Sequence, residues 1–400
     1  MKRNAVAAVI ALAFAGSTSA AEPPRDWRRL HESLITLDTH LDTPAWLEVD
    51  GWNVADRHGV SADGSQIDLP RMKAGGLDGG FWAVYIPQGP LTPEGRAAAR
   101  DAALVRLTRI REMVAANPRD FAIALTAEDA PRIAAEGKRI VYLSMENGYP
   151  FGEDVTLLRT FHQLGVRIAG LAHFRNNDLA DSSTDPDGAR WKGLSPLGRT
   201  WVAEANRLGV LIDASHSSDA VLDQLLEISR APIILTHSGA RAVFDHPRNV
   251  DDERLRKLAA KGGVIQLSAY SDYMIPRSTN AERDAAIAPL RGRATTLAEQ
   301  RTKQAKLVEV EKTYPAPRAN FDGFVQHLLH ALRVAGVDHV GIGIDFDGGG
   351  GVTGLEDATD YPKISEALLR AGYTRGDLEK IWSGNALRVL AAAQKAAAPR

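Results

Sequence analysis

The chain has 400 residues, and its 48 lysines and arginines are nearly balanced by 50 aspartates and glutamates. This balance gives no general reason to bind nucleic acid or an anionic surface, so a small molecule or short peptide is the expected partner. The sequence contains no cysteine, which excludes disulfides, thiolate metal sites, a cysteine nucleophile and lipid attachment through an N-terminal cysteine.

The N-terminus has the three-part layout of a cleavable export signal. A basic start, Met1-Lys-Arg-Asn, precedes an apolar run from Ala5 to Gly16 that ends in small residues. The run is shorter than the roughly 20 apolar residues that a membrane-spanning helix needs. We therefore predict a signal peptide over residues 1–21 and an exported protein, periplasmic or secreted, without a membrane anchor. An uncleaved N-terminal helix is the alternative.

Eight short apolar runs, each followed by a stretch of helical periodicity, alternate through the rest of the chain. The predicted strands are, in order, Ile35–His40, Phe81–Ile86, Ile140–Glu146, Arg167–His173, Val210–His216, Pro232–His237, Val264–Ala269 and His339–Asp345. The predicted helices include Asp154–Leu164, Leu197–Leu208, Ser218–Arg230, Asp251–Lys261 and Phe321–Ala335. The run Phe121–Leu125 fits none of the eight and is a candidate for a short added strand.

This alternation predicts one α/β domain over residues 22–395, a (β/α)8 TIM-like barrel. An open doubly wound sheet is the alternative. The barrel is favoured because polar residues end many of the runs, and the carboxyl ends of barrel strands converge on one mouth. Residues of about 274–320 form a charged insertion after the seventh strand, predicted to be partly helical. The sequence leaves open whether this insertion covers the mouth, packs against a partner subunit or extends into solvent.

Five potential metal ligands stand at or next to the ends of these runs. His40 and Asp42 are two residues apart, so their side chains would share one face of an extended strand. Glu146, His216 and His237 end three further runs. Histidine and carboxylate ligands suit zinc, with manganese, iron or cobalt as alternatives. Five ligands exceed what one catalytic zinc needs, which favours two metal ions bridged by a carboxylate.

Several motifs in the chain resemble those of the membrane dipeptidase (renal dipeptidase) family, in the amidohydrolase-like group of metal-dependent barrels. The motifs are Asp38-Thr-His-Leu-Asp-Thr-Pro, Met145-Glu-Asn-Gly, Ile212-Asp-Ala-Ser-His-Ser-Ser, Leu235-Thr-His-Ser-Gly-Ala-Arg, His246-Pro-Arg-Asn-Val and Gly343-Ile-Asp-Phe-Asp-Gly. The resemblance spans roughly His31 to Leu390. It implies a zinc-dependent dipeptidase that uses a metal-bridging hydroxide to hydrolyse the peptide bond of a dipeptide.

The resemblance also implies which residues hold the metal. His40 and Asp42 would bind one zinc ion, and His216 and His237 would bind the other. Glu146 would bridge the two ions in each subunit with both of its oxygens. The nucleophile would be a water shared by the ions, because two divalent cations make such a water acidic near neutral pH.

Four further residues match the family's substrate and proton-transfer positions. The resemblance implies that His173 contacts the substrate and stabilises the tetrahedral intermediate, and that Arg248 binds the terminal carboxylate. A guanidinium suits that task because it can donate two parallel hydrogen bonds. Asp345 would exchange protons with the water and the leaving amine, with Asp347 as a competitor. Tyr270 is a looser match for a residue that lines the pocket.

Two other functions remain open from the sequence alone. The same site could cleave a different bond, in a cyclic amide, a lactone or an N-acyl amino acid. A periplasmic binding protein that keeps the barrel without catalysis is the alternative from another class, although the intact ligand set argues against it. The oligomeric state stays open, with a homodimer as one candidate because dimers are common among such folds.

Overall fold

The computed structural model describes residues 26–397 of the chain. The predicted signal peptide, residues 1–21, lies outside the described residues. Eight parallel strands form the central sheet. They are β1 (Leu37–Leu41), β2 (Gly79–Tyr85), β3 (Arg139–Glu146), β4 (Val166–Gly170), β5 (Leu211–Asp213), β6 (Ile234–Ala240), β7 (Val264–Leu267) and β8 (Val340–Ile342).

Each strand pairs in parallel with the next one along the chain, from β1 to β8. The ring then nearly closes, because Leu41 forms a parallel bridge with Phe346, just beyond β8. The backbone N–H of Asp42 donates to the carbonyl of Phe346 at 3.0 Å. The predicted (β/α)8 barrel is therefore confirmed, and the open doubly wound sheet is wrong.

Helices surround the barrel and follow its strands. They are α1 (Trp27–Glu32), α2 (Leu69–Ala74), α3 (Pro93–Ala116), α4 (Asp129–Ala135), α5 (Leu157–Gln163), α6 (Pro196–Leu208), α7 (Asp219–Ile228), α8 (Asp252–Ala260), α9 (Ala281–Ile287), α10 (Leu297–Thr313), α11 (Phe321–Ala335), α12 (Tyr361–Arg370), α13 (Arg375–Glu379) and α14 (Asn385–Lys395). The five predicted helices are confirmed, and α11 has the predicted bounds at both ends. No helix among these is long and apolar enough to cross a membrane.

Helix α11 shows why its bounds could be read from the sequence. The side chain of Asn320 caps its start by accepting a hydrogen bond from the N–H of Gly323 at 3.0 Å. Phe324, Leu328 and Leu332 are buried at a spacing of four residues, which is the apolar stripe of a helix that packs on a sheet. The helix ends before Gly336, whose φ of 87° a residue with a side chain rarely adopts.

All eight predicted strands are present, but three of them end three residues earlier than predicted. His173, His216 and Asp345 lie three residues beyond the ends of β4, β5 and β8, on the loops that form the mouth. The physical reason is visible at His216 and Asp345, whose backbones have positive φ angles of 64° and 72°. A left-handed residue cannot continue a strand.

Two short strands extend the sheet beyond the barrel. Phe121–Ile123 pairs in parallel with β3, which confirms the candidate added strand. Asn249–Val250 pairs in parallel with the end of β6, with Asn249 opposite Gly239. This second strand has no counterpart among the predicted elements, and it brings the adjacent Arg248 to the mouth of the barrel.

The insertion at about 274–320 is partly helical, as predicted, and contains α9 and α10. The segment before α10 folds back onto the loop after β1. The N–H of Asp50 donates to the carbonyl of Thr295 at 2.8 Å, and the N–H of Leu297 donates to the carbonyl of Asp50 at 2.9 Å. Residues 292–295 line the cavity at the mouth of the barrel, so the insertion covers part of the mouth.

Candidate active site

Glu146, the last residue of β3, lies at the centre of a buried cluster at the mouth of the barrel. Its Oε2 lies 3.3 Å from Nε2 of His40. Its other oxygen, Oε1, lies 3.2 Å from Nε2 of His216 and 3.5 Å from Nε2 of His237. One carboxylate thus presents one oxygen to His40 and the other to His216 and His237.

The ligand atoms around Glu146 converge at short distances. Nε2 of His40 lies 3.2 Å from Oδ2 of Asp42, and the Nε2 atoms of His216 and His237 lie 2.8 Å apart. Among the described residues, three groups each have ligand atoms that lie within 4.8 Å of one another. They are His40, Glu146 and His237; Glu146, His173 and His216; and His40, Asp42 and Asp345. Nitrogen and oxygen lone pairs that converge in this way can hold divalent cations.

Four residues beside this cluster have a backbone conformation that is rare for residues with side chains. Asn147, His216, Asp345 and Asp347 have φ angles between 64° and 72°. Each of them follows the end of a barrel strand. Such conformations cost free energy and gather at functional sites, where the surrounding structure enforces them. The residues with this rare backbone conformation and the converging ligand atoms therefore lie at the same mouth of the barrel.

A chain of hydrogen bonds determines the tautomer of His237 and therefore which ring nitrogen has a free lone pair facing the cluster. The hydroxyl of Thr236 donates to Oδ2 of Asp213 at 2.6 Å, because a carboxylate can only accept. The same hydroxyl lies 3.0 Å from Nδ1 of His237 and so accepts the proton on that nitrogen. Nε2 of His237 is left without a proton, as a metal ligand must be.

The buried charges of the cluster shift the titration of its members. Burial, with the nearby Arg248 or His40, lowers the pKa of His216 and of His237 well below the usual range. For His40 burial acts in the same direction, but the adjacent carboxylates of Glu146 and Asp42 outweigh it and raise the pKa. Neutral His216 and His237 have lone pairs available for a cation.

Asp38 connects β1 to the chain beyond β8. Its buried carboxylate accepts hydrogen bonds from the backbone N–H of His40 at 2.8 Å, the N–H of Ile344 at 3.0 Å and the hydroxyl of Tyr361 at 2.6 Å. Burial raises the pKa of Asp38 to about 6, although these donors oppose the shift. Asp38 therefore holds His40 and the residue before Asp345 in one arrangement.

The two aspartates after β8 have different surroundings. Asp347 accepts three hydrogen bonds, from Nε1 of Trp46 at 2.9 Å, the N–H of Gln66 at 2.7 Å and the hydroxyl of Thr43 at 2.7 Å. The carboxylate of Asp345 has no such donor within residues 26–397, and its Oδ1 lies 4.0 Å from Nε2 of His40. The carboxylate of Asp347 is therefore held by hydrogen bonds from neighbouring loops, whereas the carboxylate of Asp345 faces the cluster.

A cavity of about 620 Å³ opens above the cluster, and Asp345, His173 and Tyr270 line it. Tyr85, which the sequence analysis did not single out, also lines it, and its hydroxyl lies 3.4 Å from Nδ1 of His173. Burial, helped by the charge of Arg248, lowers the pKa of His173 to about 3. Tyr85 is the last residue of β2, just as Glu146 is the last residue of β3. Its position at a strand end could therefore have indicated from the sequence that it lines the site.

Arg248 lies beside the cluster but is not among the residues that line the cavity. Its side chain is buried, with 3% exposure. It donates to the hydroxyl of Ser238 at 2.7 Å and to the carbonyl of His237 at 2.6 Å. Its Nε has no partner in the described part of the chain. The guanidinium lies 5.5 Å from the ring centre of Tyr273, which does line the cavity.

A parallel barrel with histidines and carboxylates gathered at the carboxyl ends of its strands defines a class of protein, the metal-dependent hydrolases of the barrel type. A family model described as membrane dipeptidase (peptidase family M19) matches residues 25–400. The chain belongs to this family and is a metallo-dipeptidase. The family resemblance read from the motifs is therefore confirmed.

Curated relatives and solved structures support this assignment. The chain is 33% identical over 360 residues to dipeptidase tcpJ of Claviceps purpurea, which covers 87% of this chain and 74% of that protein. The crystal structure of the probable dipeptidase PvdM from Pseudomonas aeruginosa is similar with a TM-score of 0.79 and 32% identity, over 93% of this chain and 98% of that one. A metallo peptidase from Rhodobacter sphaeroides, liganded with a phosphinate mimic of the dipeptide L-Ala-D-Ala, has a TM-score of 0.70 and 26% identity, over 90% and 99%.

Proposed function

We propose that the chain binds two zinc ions per subunit, bridged by Glu146, and hydrolyses dipeptides that carry a free terminal carboxylate. The observation that carries the proposal is the placement of the two oxygens of Glu146, one of which faces His40 while the other faces His216 and His237. His40 and Asp42 would hold one ion, and His216 and His237 would hold the other. Imidazole and carboxylate donors without thiolates suit zinc. When bound, the two cations lower the pKa of a water between them and polarise the carbonyl of the substrate.

His173 is suited to donate a hydrogen bond to the substrate's carbonyl oxygen as negative charge develops there. The hydroxyl of Tyr85 can donate to Nδ1 of His173 at 3.4 Å, which leaves the ring proton on Nε2. Nε2 lies 3.5 Å from Oε1 of Glu146, so the proton is directed into the centre of the site. Tyr85 would in this way set the tautomer that stabilises the oxyanion.

Asp345 is the residue that we assign to proton transfer. Its carboxylate lines the cavity and has no hydrogen-bond donor within residues 26–397. It can accept the proton of the attacking water at one of its oxygens and deliver it to the nitrogen of the departing amine, which must be protonated to leave. Asp347 is occupied by its three donors and is not available for this task.

Arg248 is the residue that we assign to the terminal carboxylate of the substrate. Two of its N–H groups hold Ser238 and the carbonyl of His237, while its buried Nε lacks a partner among residues 26–397. A buried guanidinium with an unused donor gains a charge-assisted hydrogen bond when a carboxylate approaches. A site built in this way would distinguish a peptide with a free C-terminal carboxylate from its amide.

Metal analysis combined with turnover tests the proposal. The mature protein is depleted with a chelator and reconstituted with zinc, and hydrolysis of L-Ala-L-Ala and L-Ala-D-Ala is followed. The second substrate is included because the Rhodobacter sphaeroides relative carries a mimic of it. We expect about two zinc ions per chain and zinc-restored turnover. Fewer than about one zinc per chain together with no cleavage of any dipeptide would refute it.

A matched pair of variants makes the test specific to the bridging residue. Glu146→Ala should lose at least one of the two zinc ions because both sets of ligands share its carboxylate. His330→Gln is the control, since His330 pairs with Asp252 at 2.7 Å and is not among the residues that line the cavity. It should retain the zinc content and the activity of the parent protein.

We also propose that the protein is exported, with cleavage after residue 20 or 21. The support is the basic, apolar and small-residue order of the first residues. N-terminal sequencing of the protein recovered from the periplasm or medium tests this. An intact Met1 on active protein in the cytoplasm would refute it.

A further inference from the structure

The insertion brings an arginine into the active-site cavity. Gly292, Arg293, Ala294 and Thr295 lie between α9 and α10, and they line the same cavity as the metal-ligand cluster. Nothing in the sequence pattern marked Arg293, because it belongs to a segment far along the chain from every predicted ligand. Its side chain is exposed to the cavity and solvent.

The backbone around Arg293 is held in place from both sides. Gln300, which is buried, accepts a hydrogen bond from the N–H of Ala294 at 3.2 Å and donates to the carbonyl of Asp63 at 3.0 Å. Thr296 and Glu299 form a capping box at the start of α10. The bridge between Asp50 and this segment adds a third anchor. Arg293 therefore stands on a supported turn.

The charges of Asp347, Asp42 and Glu48 lie close enough to act on Arg293, but none of these carboxylates pairs with it directly. Its guanidinium donates to the backbone carbonyl of Asp347 at 3.0 Å and lies 4.7 Å from the ring centre of Trp46. Within the described chain it forms no ion pair. Arg106, which lines the same cavity, differs because Glu48 holds it through two hydrogen bonds of 2.8 and 3.0 Å. Arg293 is thus available to bind an anion.

The position of Arg293 relative to the proposed zinc ligands indicates which part of a substrate it would meet. The carbonyl that it contacts is joined to Gly348, and Gly348 packs so tightly that an added Cβ would lie 2.0 Å from Oδ2 of Asp42. Arg293 therefore lies on the side of His40 and Asp42. Arg248 is held elsewhere, by its hydrogen bonds to the hydroxyl of Ser238 and the carbonyl of His237 on β6.

We propose that Arg293 forms an anionic subsite that selects an acidic side chain, aspartate or glutamate, on the N-terminal residue of the dipeptide. The inference rests on the proposed function, because it takes the terminal carboxylate to lie at Arg248. An acidic side chain at the opposite end of the dipeptide then reaches the guanidinium of Arg293, which forms no ion pair among residues 26–397. Arginine binds carboxylates through charge-assisted hydrogen bonds, which makes the discrimination against a neutral isostere substantial.

The experiment compares kcat/KM for L-Glu-L-Ala and for L-Gln-L-Ala, which differ only in the charge of one side chain. The zinc-loaded parent should prefer L-Glu-L-Ala by about tenfold or more, from one charge-assisted contact. Arg293→Gln should bring the ratio close to one, and Arg293→Lys should retain part of it. Arg291→Gln is the matched control, because Arg291 is in the same turn but is not among the residues that line this cavity. It should keep the parental ratio.

The outcomes separate this inference from the proposed function. Turnover of L-Ala-L-Ala without any preference for L-Glu-L-Ala, or a preference that survives in Arg293→Gln, overturns the subsite and leaves the dipeptidase intact. If no dipeptide is cleaved, the proposed function fails, and calorimetric binding of the same two dipeptides decides the subsite. Tighter binding of L-Glu-L-Ala that disappears in Arg293→Gln would still support it, and equal binding would overturn it.

Discussion

The hydroxyl of Thr236 lies 3.0 Å from Nδ1 of His237. Because that hydroxyl donates its own proton to Asp213, it can only accept the proton on Nδ1, and Nε2 of His237 is left with a free lone pair. Nε2 lies 2.8 Å from Nε2 of His216 and 3.5 Å from Oε1 of Glu146. A residue that is not itself a proposed ligand thus decides which nitrogen of His237 can bind a cation.

Thr236→Val should weaken zinc binding without changing the fold. Valine keeps the shape of threonine but removes the hydroxyl, so His237 can take the wrong tautomer and loses its orientation. Loss of such a supporting hydrogen bond typically lowers metal affinity by about 10- to 100-fold. Competition with a chromophoric chelator measures the affinity. Thr236→Ser keeps the hydroxyl and should bind zinc like the parent; an unchanged affinity in Thr236→Val would contradict the role.

Asp345→Asn should lower kcat while leaving KM and zinc content nearly unchanged. The amide cannot accept the proton of the water or pass it to the leaving amine, and a general acid–base residue typically contributes about 10²- to 10⁴-fold. Steady-state kinetics on L-Ala-L-Ala with parallel metal analysis provide the measurement. A parental kcat in Asp345→Asn would show that the proton moves by another route.

Asp347→Ala should mainly affect stability. The substitution leaves three donors, from Trp46, Gln66 and Thr43, without their acceptor. Each buried group that loses its partner costs about 1–3 kcal/mol. Denaturant unfolding should show this loss. Asp347→Asn keeps an acceptor oxygen and should retain kcat within a few-fold, whereas a loss as deep as that of Asp345→Asn would move the proton-transfer role to Asp347.

Arg248→Ala should reduce kcat/KM for L-Ala-L-Ala far more than for its C-terminal amide. The guanidinium would lose one charge-assisted hydrogen bond to the carboxylate, which corresponds to about 10- to 100-fold. The amide lacks the carboxylate, so it reports the structural part of the effect, including the lost bonds to Ser238 and His237. Equal losses of kcat/KM on both substrates would mean that Arg248 only supports the loop. The site would then recognise a different bond or a different end of the substrate.

His327 should make the fold sensitive to mild acid. Burial lowers its pKa from the usual 6.5 to about 4. Between these two pKa values the unfolded chain binds a proton at His327 that the folded chain does not bind. The free energy of unfolding is therefore highest above about pH 6.5 and decreases as the pH falls toward 4, by up to about 3 kcal/mol. His327→Asn keeps an acceptor for the N–H of Ala240, which Nδ1 of His327 accepts at 3.0 Å. Its free energy of unfolding should fall less between pH 6.5 and 4 than that of the parent; parallel curves would contradict the assignment.

The strands and the ligand cluster could be read from the sequence for a physical reason. Barrel strands are covered on both faces, so they appear as short, nearly continuous apolar runs. The residues at their carboxyl ends converge on one mouth whatever their separation along the chain. Glu146, the last residue of β3, was therefore predictable from position alone, and Tyr85 could have been found in the same way. His237 also faces the cluster, but it lies inside β6, three residues before the end of that strand. His216 and Asp345 were assigned to the predicted strands, although they lie three residues beyond the strand ends. Their left-handed backbone conformation leaves no clear signal in the sequence.

What the sequence by itself determined is the alternation of strands and helices, the family and the residue types gathered at the mouth. The tertiary structure alone decided that Asp345 faces the cluster while Asp347 is held by Trp46, and that Arg293 reaches the cavity from an insertion anchored at Asp50. These features depend on contacts between loops that are distant in sequence. Periodicity records how each element buries its own apolar face, but it carries no information about which loop meets which.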